Sequence, residues 1–129
     1  MAKNGIIRNI FRLRGFVESL KLAVKGILYL FLYHRNMRII FMLGIAVFLL
    51  GLHFNLKGIE LVALCITITL VFMAEIFNTA IELMMDIYSG EKYHTKVRLI
   101  KDIAAGVVAL ACLNAIAVGY ILFVRKLFK

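Results

Sequence analysis

Residues 58–86 read GIELVALCITITLVFMAEIFNTAIELMMD, a long apolar run that ends among acidic and amide side chains. Glu75, Asn78, Glu82 and Asp86 are separated by three, four and four positions, which places them on one helical stripe about 80° wide. Ionisable groups inside a membrane helix are costly and usually face a protein interior or a watery cavity. The stripe therefore indicates a functional site. The alternative is a helix that leaves the membrane here, with its last acids simply in water, but Glu75 and Asn78 lie too deep for that.

The composition is that of an integral membrane protein. Hydrophobic residues make up 64% of the 129, and the mean hydropathy is +0.96, whereas soluble domains are roughly 45–50% apolar. Besides the run that starts near residue 58, the apolar runs 37–54 and 103–124 approach the ~20 residues that cross a bilayer. The sequence predicts an all-α membrane protein with three transmembrane helices within 37–129, as part of a single membrane-embedded domain, 1–129.

Residues 7–33 combine apolar and basic side chains with a helical period. Phe16, Leu20 and Val24 recur among Lys21 and Lys25. Such a pattern is typical of an amphipathic helix that lies in the membrane interface. Region 1–36 is therefore predicted to form a surface helix. A fourth spanning helix is the alternative, and the two lysines argue against it.

The basic residues suggest a partner and an orientation. Residues 1–38 contain eight Lys or Arg against one acid, so anionic lipid headgroups are expected to bind there, and no base-reading motif suggests nucleic acid. Cytoplasmic segments of membrane proteins are enriched in Lys and Arg, which places the N-terminus and the segment 86–102 inside. Three crossings then put the C-terminus outside, although Arg125, Lys126 and Lys129 conflict with the rule.

The third predicted span is rich in small residues. Ala111, Ala115 and Gly119 recur at every fourth position, a spacing that lets membrane helices approach closely, although Ala and Gly are also common in spanning helices generally. Three helices can hardly enclose the acidic stripe alone. Self-association is therefore expected.

The stripe offers several kinds of chemistry. Carboxylates could carry protons, bind a cation, or hold Mg²⁺ for phosphoryl transfer. The stripe leads into a predicted polar loop, 88–102, where lysines that can hold phosphates follow acids that can hold a metal. This loop contains Lys92, Tyr93, His94, Lys96, Arg98, Lys101 and Asp102. No GxxxxGK[ST] or kinase-type glycine loop is present, so a nucleotide site would be of another kind, and a small proton-coupled carrier is an alternative.

A specific run within the stripe resembles a known family. Residues 74–82, AEIFNTAIE, followed by Asp86, closely resemble the signature E-x-x-N-[ST]-A-[IV]-E-x-x-x-D of the small integral-membrane diacylglycerol kinases and undecaprenol kinases of bacteria. The similarity extends over roughly 15–124, and the next elements of the family match Tyr93-His94 and Lys101-Asp102. The resemblance implies a homotrimeric lipid kinase of the bacterial inner (cytoplasmic) membrane, which transfers the γ-phosphoryl group of ATP with Mg²⁺ to a lipid hydroxyl.

The same resemblance implies roles for single residues. Glu75 is expected to be the catalytic base at the acceptor hydroxyl, Asn78 to complete the catalytic site, and Glu82 to bind the metal. The positions that match nucleotide-binding residues are Asp86, Lys92, Tyr93, His94, Lys101 and Asp102. Glu82 and Mg²⁺ together would stabilise charge that develops on the transferred phosphoryl group.

Two positions depart from the family pattern. Where the family usually has a glutamate as second metal ligand before the first span, this chain has His34, and a neutral imidazole matches Mg²⁺ poorly. Further upstream, an arginine associated with the nucleotide corresponds to Gly15, with Arg14 one position away. His34 is the doubtful candidate for a second metal ligand, and a non-catalytic homologue is a further alternative.

The predicted acceptor is diacylglycerol, which would yield phosphatidic acid, and undecaprenol is the alternative. Both lipids present a primary hydroxyl beneath a long apolar body. The sequences Phe16-x-x-Ser19 and Arg35-Asn36-x-Arg38 look more like the undecaprenol-type branch of the family. No single side chain separates the two acceptors.

Overall fold

The computed structural model of the protein describes residues 2–90 and 94–128, without the side chains at 2, 3, 10, 11 and 13. All regular structure in this part of the chain is helical, which confirms the predicted all-α class. The elements in order are α1 (Ala2–Tyr33), α2 (Arg35–His53), α3 (Ile59–Ser89), α4 (Thr95–Gly119), a π-helical turn (Tyr120–Val124) and α5 (Arg125–Leu127).

Three helical segments are long and apolar enough to cross a membrane, as predicted. They are Arg35–His53, Ile59–Ser89 and the continuous segment Thr95–Leu127. Many of their large apolar side chains are exposed on the protein surface. Such a surface is compatible with a lipid environment, because lipid tails are as apolar as these side chains.

The chain divides into two compact units, Met1–Arg35 and Asn36–Lys129. In the first unit α1 runs for 32 residues, about 48 Å. Phe16 and Leu20 are exposed on one side of α1, whereas the positions of Lys21 and Lys25 fall on another side. The helix is therefore amphipathic. Its place in the membrane interface, and the assignment of the whole chain to one domain, stay predictions.

In the second unit, a tight turn joins α2 to α3. The Leu56 N–H donates to the Gly51 carbonyl at 3.0 Å and the Asn55 N–H donates to the Leu52 carbonyl at 3.1 Å, while Asn55 has a φ of 59°. This is the Schellman arrangement, which satisfies the last carbonyls of a helix. Leu56 is 2% exposed, and a Cβ at Gly51 would lie 2.6 Å from Leu64 Cδ2. The turn thus holds the end of α2 close to the start of α3.

Helix α3 packs along α4. Leu64, Thr67 and Ala74 of α3 are buried, as are Val97 and Ala104 of α4. The buried Thr67 hydroxyl donates to the Ala63 carbonyl at 2.8 Å, so it needs no partner from another helix. A cavity of about 410 Å³ between α2, α3 and α4 is lined in part by the small residues of α4, Ala115 and Gly119. Part of the small-residue face therefore faces this cavity within the chain.

An ion pair joins α3 to the antiparallel segment α4–α5 at each end of these helices. Lys101 of α4 binds Asp86 of α3, and we call this the site end. At the opposite end Lys126 Nζ lies 3.4 Å from Glu60 Oε2. One of the C-terminal cations that conflict with the positive-inside rule is thus paired within the chain.

Aromatic packing and a local change of helical pitch accompany the pair at the opposite end. The rings of Phe54 and Phe123 are 5.7 Å apart between centroids and are inclined at 73°. Phe123 belongs to the π-helical turn Tyr120–Val124, whose wider turn shifts the register of the residues that follow, Lys126 included.

The prediction of a polar loop over 88–102 was wrong for most of its length. Helix α3 continues to Ser89, where Gly90 ends it with φ 57° and ψ −133°, a conformation that glycine adopts readily, and α4 begins at Thr95. Lys96, Arg98, Lys101 and Asp102 therefore belong to a helix. The physical reason is that a helix that extends beyond the hydrocarbon can carry polar side chains, as a loop does.

Candidate functional site

The acidic stripe of α3 runs from the protein interior to its surface. Glu75 and Asn78 are 7% and 8% exposed, and Thr79 beside them is also buried. Glu82 and Asp86 are exposed. The side chains thus form a path from the exterior at the site end to a carboxylate inside the helix assembly. The two outer acids are accessible, as in the alternative of an emerging helix, whereas the two inner groups are not.

Hydrogen bonds order the middle of the stripe. Asn78 Nδ2 donates to Glu82 Oε1 at 3.3 Å, which links a buried amide to an exposed carboxylate one turn away. The Thr79 hydroxyl donates to the Glu75 carbonyl at 2.9 Å and so satisfies itself within α3. Asn78 Oδ1 is buried and accepts no hydrogen bond within residues 2–90 and 94–128. A buried amide oxygen of this kind is a ready acceptor for a ligand hydroxyl or for a hydrated cation.

Asp86 and Lys101 come together from two helices. The Lys101 ammonium donates to Asp86 Oδ1, and the two side chains are 34% and 62% exposed. The Asp86 main-chain carbonyl accepts the Gly90 N–H at 3.1 Å, so the same residue also closes the last turn of α3. The ion pair places a cation beside the outer end of the acidic stripe. A cation in this position lowers the repulsion between the carboxylates and an anionic ligand.

The other predicted site residues have no described side-chain contact with the acidic stripe or lie outside the described residues. Lys92 and Tyr93 lie outside the described residues. His94 precedes α4, where its carbonyl accepts the Arg98 N–H at 3.1 Å, and Asp102 is exposed beside Lys101. In the part of the chain that the structure describes, no side-chain hydrogen bond or ion pair joins His94 or Asp102 to the acidic stripe. Their roles stay predictions.

His34 is the single residue between α1 and α2. Its N–H donates to the Leu30 carbonyl at 2.9 Å, and its ring lies 6.1 Å from that of Tyr29 between centroids. The described residues contain no cluster of three or more His, Cys, Asp or Glu side chains that could hold a metal ion. Its role as a metal ligand stays a prediction.

An apolar groove between α2 and α3 was not expected from the sequence. It has a volume of about 320 Å³, and its α3 wall includes Cys65, Ile68 and Phe72. Glu75 continues this series on the same side of α3, at the spacing three, four, three. Phe72, which lines the groove, therefore lies about one turn of α3 before the buried carboxylate. The signal was present in that spacing, but an apolar position in a membrane helix does not reveal whether it faces lipid or a groove.

Comparison with known proteins identifies the family to which this chain is similar. The family described as prokaryotic diacylglycerol kinase matches residues 21–123. A diacylglycerol kinase of Synechocystis is 34% identical over 129 residues, which cover 99% of this chain and 74% of that protein. An undecaprenol kinase of Bacillus subtilis is 30% identical over 115 residues, which cover 89% of this chain and 93% of that protein.

The matched region contains the whole acidic stripe, the Asp86–Lys101 pair and both walls of the groove. Both relatives are named as lipid kinases, as the sequence predicted for this chain, and a kinase implies ATP as the phosphoryl donor. The match over most of the chain and the two relatives lead to one assignment: this chain belongs to the prokaryotic diacylglycerol kinase family and is a membrane lipid kinase.

Proposed function

We propose that the protein transfers the γ-phosphoryl group of ATP, with Mg²⁺, to the primary hydroxyl of diacylglycerol and that Glu75 is the base. The hydroxyl oxygen attacks the γ-phosphorus and forms the new O–P bond. The bond between that phosphorus and the bridging oxygen breaks, and ADP leaves with the electron pair. Glu75 accepts the hydroxyl proton, and the products are ADP and phosphatidic acid.

The observation that carries this proposal is a buried carboxylate, Glu75, about one helical turn beyond Phe72, which lines the apolar groove. Phe72, at the near end of the groove, precedes Glu75 on α3 by a rise of about 4.5 Å. A lipid whose hydrocarbon lies along the groove would thus present its polar end to a buried carboxylate. Neither a soluble alcohol nor an ion needs an apolar groove at that place.

Burial suits Glu75 to the role of base. Water is largely excluded from a carboxylate that is 7% exposed, so an acceptor hydroxyl meets little competition from water as a nucleophile. Asn78, one turn further along α3, has a buried oxygen that can accept a hydrogen bond and an amide that holds Glu82. Asn78 therefore fits a place between the acceptor site and the metal site.

The donor set fits a magnesium ion held jointly with the nucleotide. Mg²⁺ in nucleotide sites prefers oxygen, keeps several waters and is usually bound by one or two carboxylates together with the phosphates. Glu82, exposed and oriented by Asn78, meets that requirement without a larger cluster. A bound Mg²⁺ would supply positive charge that polarises the γ-phosphoryl group.

The nucleotide is proposed to bind at the site end, where the Lys101 ammonium lies beside Asp86. Lys92, Tyr93, His94 and Asp102 are proposed to contribute from the start of α4 and the segment before it. In our proposal this end faces the cytoplasm, where ATP is found, in the inner membrane of a bacterium. The chain is proposed to act as a homotrimer, which would enclose the exposed flank of the stripe.

Undecaprenol is the second candidate acceptor. The relative from Bacillus subtilis bears that name, and nearly the whole of that protein corresponds to this chain. An apolar groove accepts an isoprenoid chain as readily as an acyl chain, since the hydrophobic effect is not directional. Diacylglycerol is preferred because the Synechocystis relative is more similar and corresponds to nearly the whole of this chain.

The acceptor can be identified by phosphate transfer from γ-labelled ATP in mixed micelles. Diacylglycerol, undecaprenol and triacylglycerol are supplied separately; the third has a similar hydrocarbon but no hydroxyl. We expect Mg²⁺-dependent labelling of diacylglycerol and none of triacylglycerol. Faster labelling of undecaprenol would reassign the acceptor, and labelling of neither alcohol by a folded protein that binds nucleotide would contradict the proposed function.

A further inference from the structure

We propose that Asp86 acts on the nucleotide through Lys101: its carboxylate positions the lysine ammonium for the phosphates and contacts neither the nucleotide nor the metal. This inference rests on the proposed nucleotide site. It differs from the sequence prediction, in which Asp86 itself binds the nucleotide. Asp86 is thus a positioning residue and Lys101 is the residue that binds.

The placement of Lys101 on α4 limits where its ammonium can go. Val97, Lys101 and Ala104 share one face of α4, since they are four and three positions apart. Val97 and Ala104 are 7% and 3% exposed on the side that packs along α3. The lysine stem therefore leaves from a packed face, and its tip emerges beside the last turn of α3. Asp86 is the residue that it meets there.

Asp86 holds the Lys101 ammonium in a defined position. Its main chain lies in the last turn of α3, where its carbonyl accepts the Gly90 N–H. A lysine stem has four rotatable bonds, so its ammonium occupies a defined place only where a partner holds it. Because the Asp86 side chain is 62% exposed, the ion pair contributes little to folding stability. The main effect of the ion pair is to fix the position of the Lys101 ammonium.

The charges at the site end favour an indirect role for Asp86. Glu82, one turn earlier on α3, is already an exposed carboxylate at the proposed metal position. A second unpaired carboxylate next to it would repel the triphosphate of ATP. Once paired with Lys101, Asp86 is neutralised. The ammonium has three N–H donors, of which Asp86 takes one, and two remain to bind phosphate oxygens.

A double-mutant cycle tests the inference. Asp86→Asn, Lys101→Met and the combined variant are compared for the KM of ATP, for kcat and for displacement of a fluorescent ATP analogue, which needs no turnover. We expect Asp86→Asn to raise the KM of ATP by about 3- to 30-fold, as for directly interacting residues, with a smaller fall in kcat. It should have no further effect in the Lys101→Met background. Asp86→Glu, which keeps the carboxylate, should retain much of the nucleotide binding that Asp86→Asn loses.

The ion pair at the opposite end provides the matched control. Glu60→Gln and Lys126→Met remove the same kind of pair between α3 and the α4–α5 segment and should leave the KM of ATP unchanged. An equal effect of Asp86→Asn with and without Lys101 would overturn the inference, because Asp86 would then act directly. An unchanged KM would also overturn it. Nucleotide displacement decides the matter even if no tested lipid is phosphorylated, so failure of the proposed function is distinguishable.

Discussion

The two ends of the α3–α4 pair contain the same interaction in different surroundings. Each end has a lysine of the α4–α5 segment bound to a carboxylate of α3, Lys101 to Asp86 and Lys126 to Glu60. At the site end the pair continues inward as a row of polar side chains that reaches the buried Glu75. At the opposite end the neighbours are aromatic rings and a close-packed turn. An ion pair alone therefore does not mark a site; the buried polar row behind it does.

The spacing of the two pairs explains why both are tolerated. From Glu60 to Asp86 α3 rises about 39 Å, close to the thickness of a bilayer with its headgroups, about 40–45 Å. Both pairs can therefore lie at headgroup level, where charged side chains remain hydrated. Glu75 is buried and has no such access to water. Its burial among helices distinguishes the proposed base from an interfacial carboxylate.

The largest expected effect follows from neutralising one glutamate at a time on α3. Glu75→Gln should lower kcat for lipid phosphorylation by about 10²- to 10⁴-fold, the usual contribution of a general base. Glu60→Gln makes the same chemical change on the same helix and should leave kcat within a factor of about two, since an exposed ion pair contributes little. Steady-state rates with labelled ATP provide the measurement. Similar losses in both variants would mean that the effect of Glu75→Gln is structural.

The next effect concerns the amide that orients Glu82. Asn78→Leu removes the donor that holds the Glu82 carboxylate, and loss of such a supporting contact typically costs about 10- to 100-fold in metal affinity or activity. We expect the Mg²⁺ concentration for half-maximal rate to rise. A titration of rate against Mg²⁺ tests this, with Thr79→Val as control, because the Thr79 hydroxyl donates to a carbonyl of its own helix. A lower rate with an unchanged Mg²⁺ requirement would contradict the link to the metal.

A smaller effect, on stability, should come from crowding the turn at the opposite end. Gly51→Ala would place a methyl group 2.6 Å from Leu64 Cδ2, and overpacking of this kind typically costs about 1–3 kcal/mol. Gly106→Ala is the matched control, since a Cβ there meets no atom within 4 Å. Thermal unfolding in detergent should separate the two variants. Equal stability of both variants would show that the turn accommodates the methyl group without loss of unfolding free energy.

The smallest effect should follow from removing the ion pair at the opposite end. Glu60→Gln combined with Lys126→Met should change the free energy of unfolding by no more than about 1 kcal/mol, because both side chains are partly exposed. Thermal unfolding and the rate of lipid phosphorylation are measured together. A large loss of activity with little loss of stability would mean that this end takes part in the reaction.

The helices could be predicted well because their signals are local. Three apolar runs correspond to the three spanning helices, and the three-four-four spacing of the polar residues corresponds to a single stripe on α3. The prediction of a loop over 88–102 failed because polarity reports contact with water, and a helix outside the hydrocarbon is as polar as a loop. Gly90, with its positive φ, marks the end of α3.

The contacts between helices could not be predicted in the same way. The Asp86–Lys101 pair joins residues of two helices, and the groove at Phe72 depends on how α2 and α3 approach each other. The pattern of apolar residues does not distinguish groove from lipid, since both are apolar surroundings. The roles of Glu75, Asn78 and Glu82 came from the family resemblance, and the structure adds the order of burial along the stripe.

A single-turnover measurement shows whether Glu75 takes the proton of a lipid hydroxyl. Excess protein is mixed with γ-labelled ATP, Mg²⁺ and diacylglycerol, and labelled lipid is followed in time for the wild type and for Glu75→Gln, with nucleotide binding measured in parallel. If Glu75 is the base, both proteins should bind nucleotide equally, and Glu75→Gln should form labelled lipid about 10²- to 10⁴-fold more slowly than the wild type. Transfer by Glu75→Gln at the wild-type rate would contradict it.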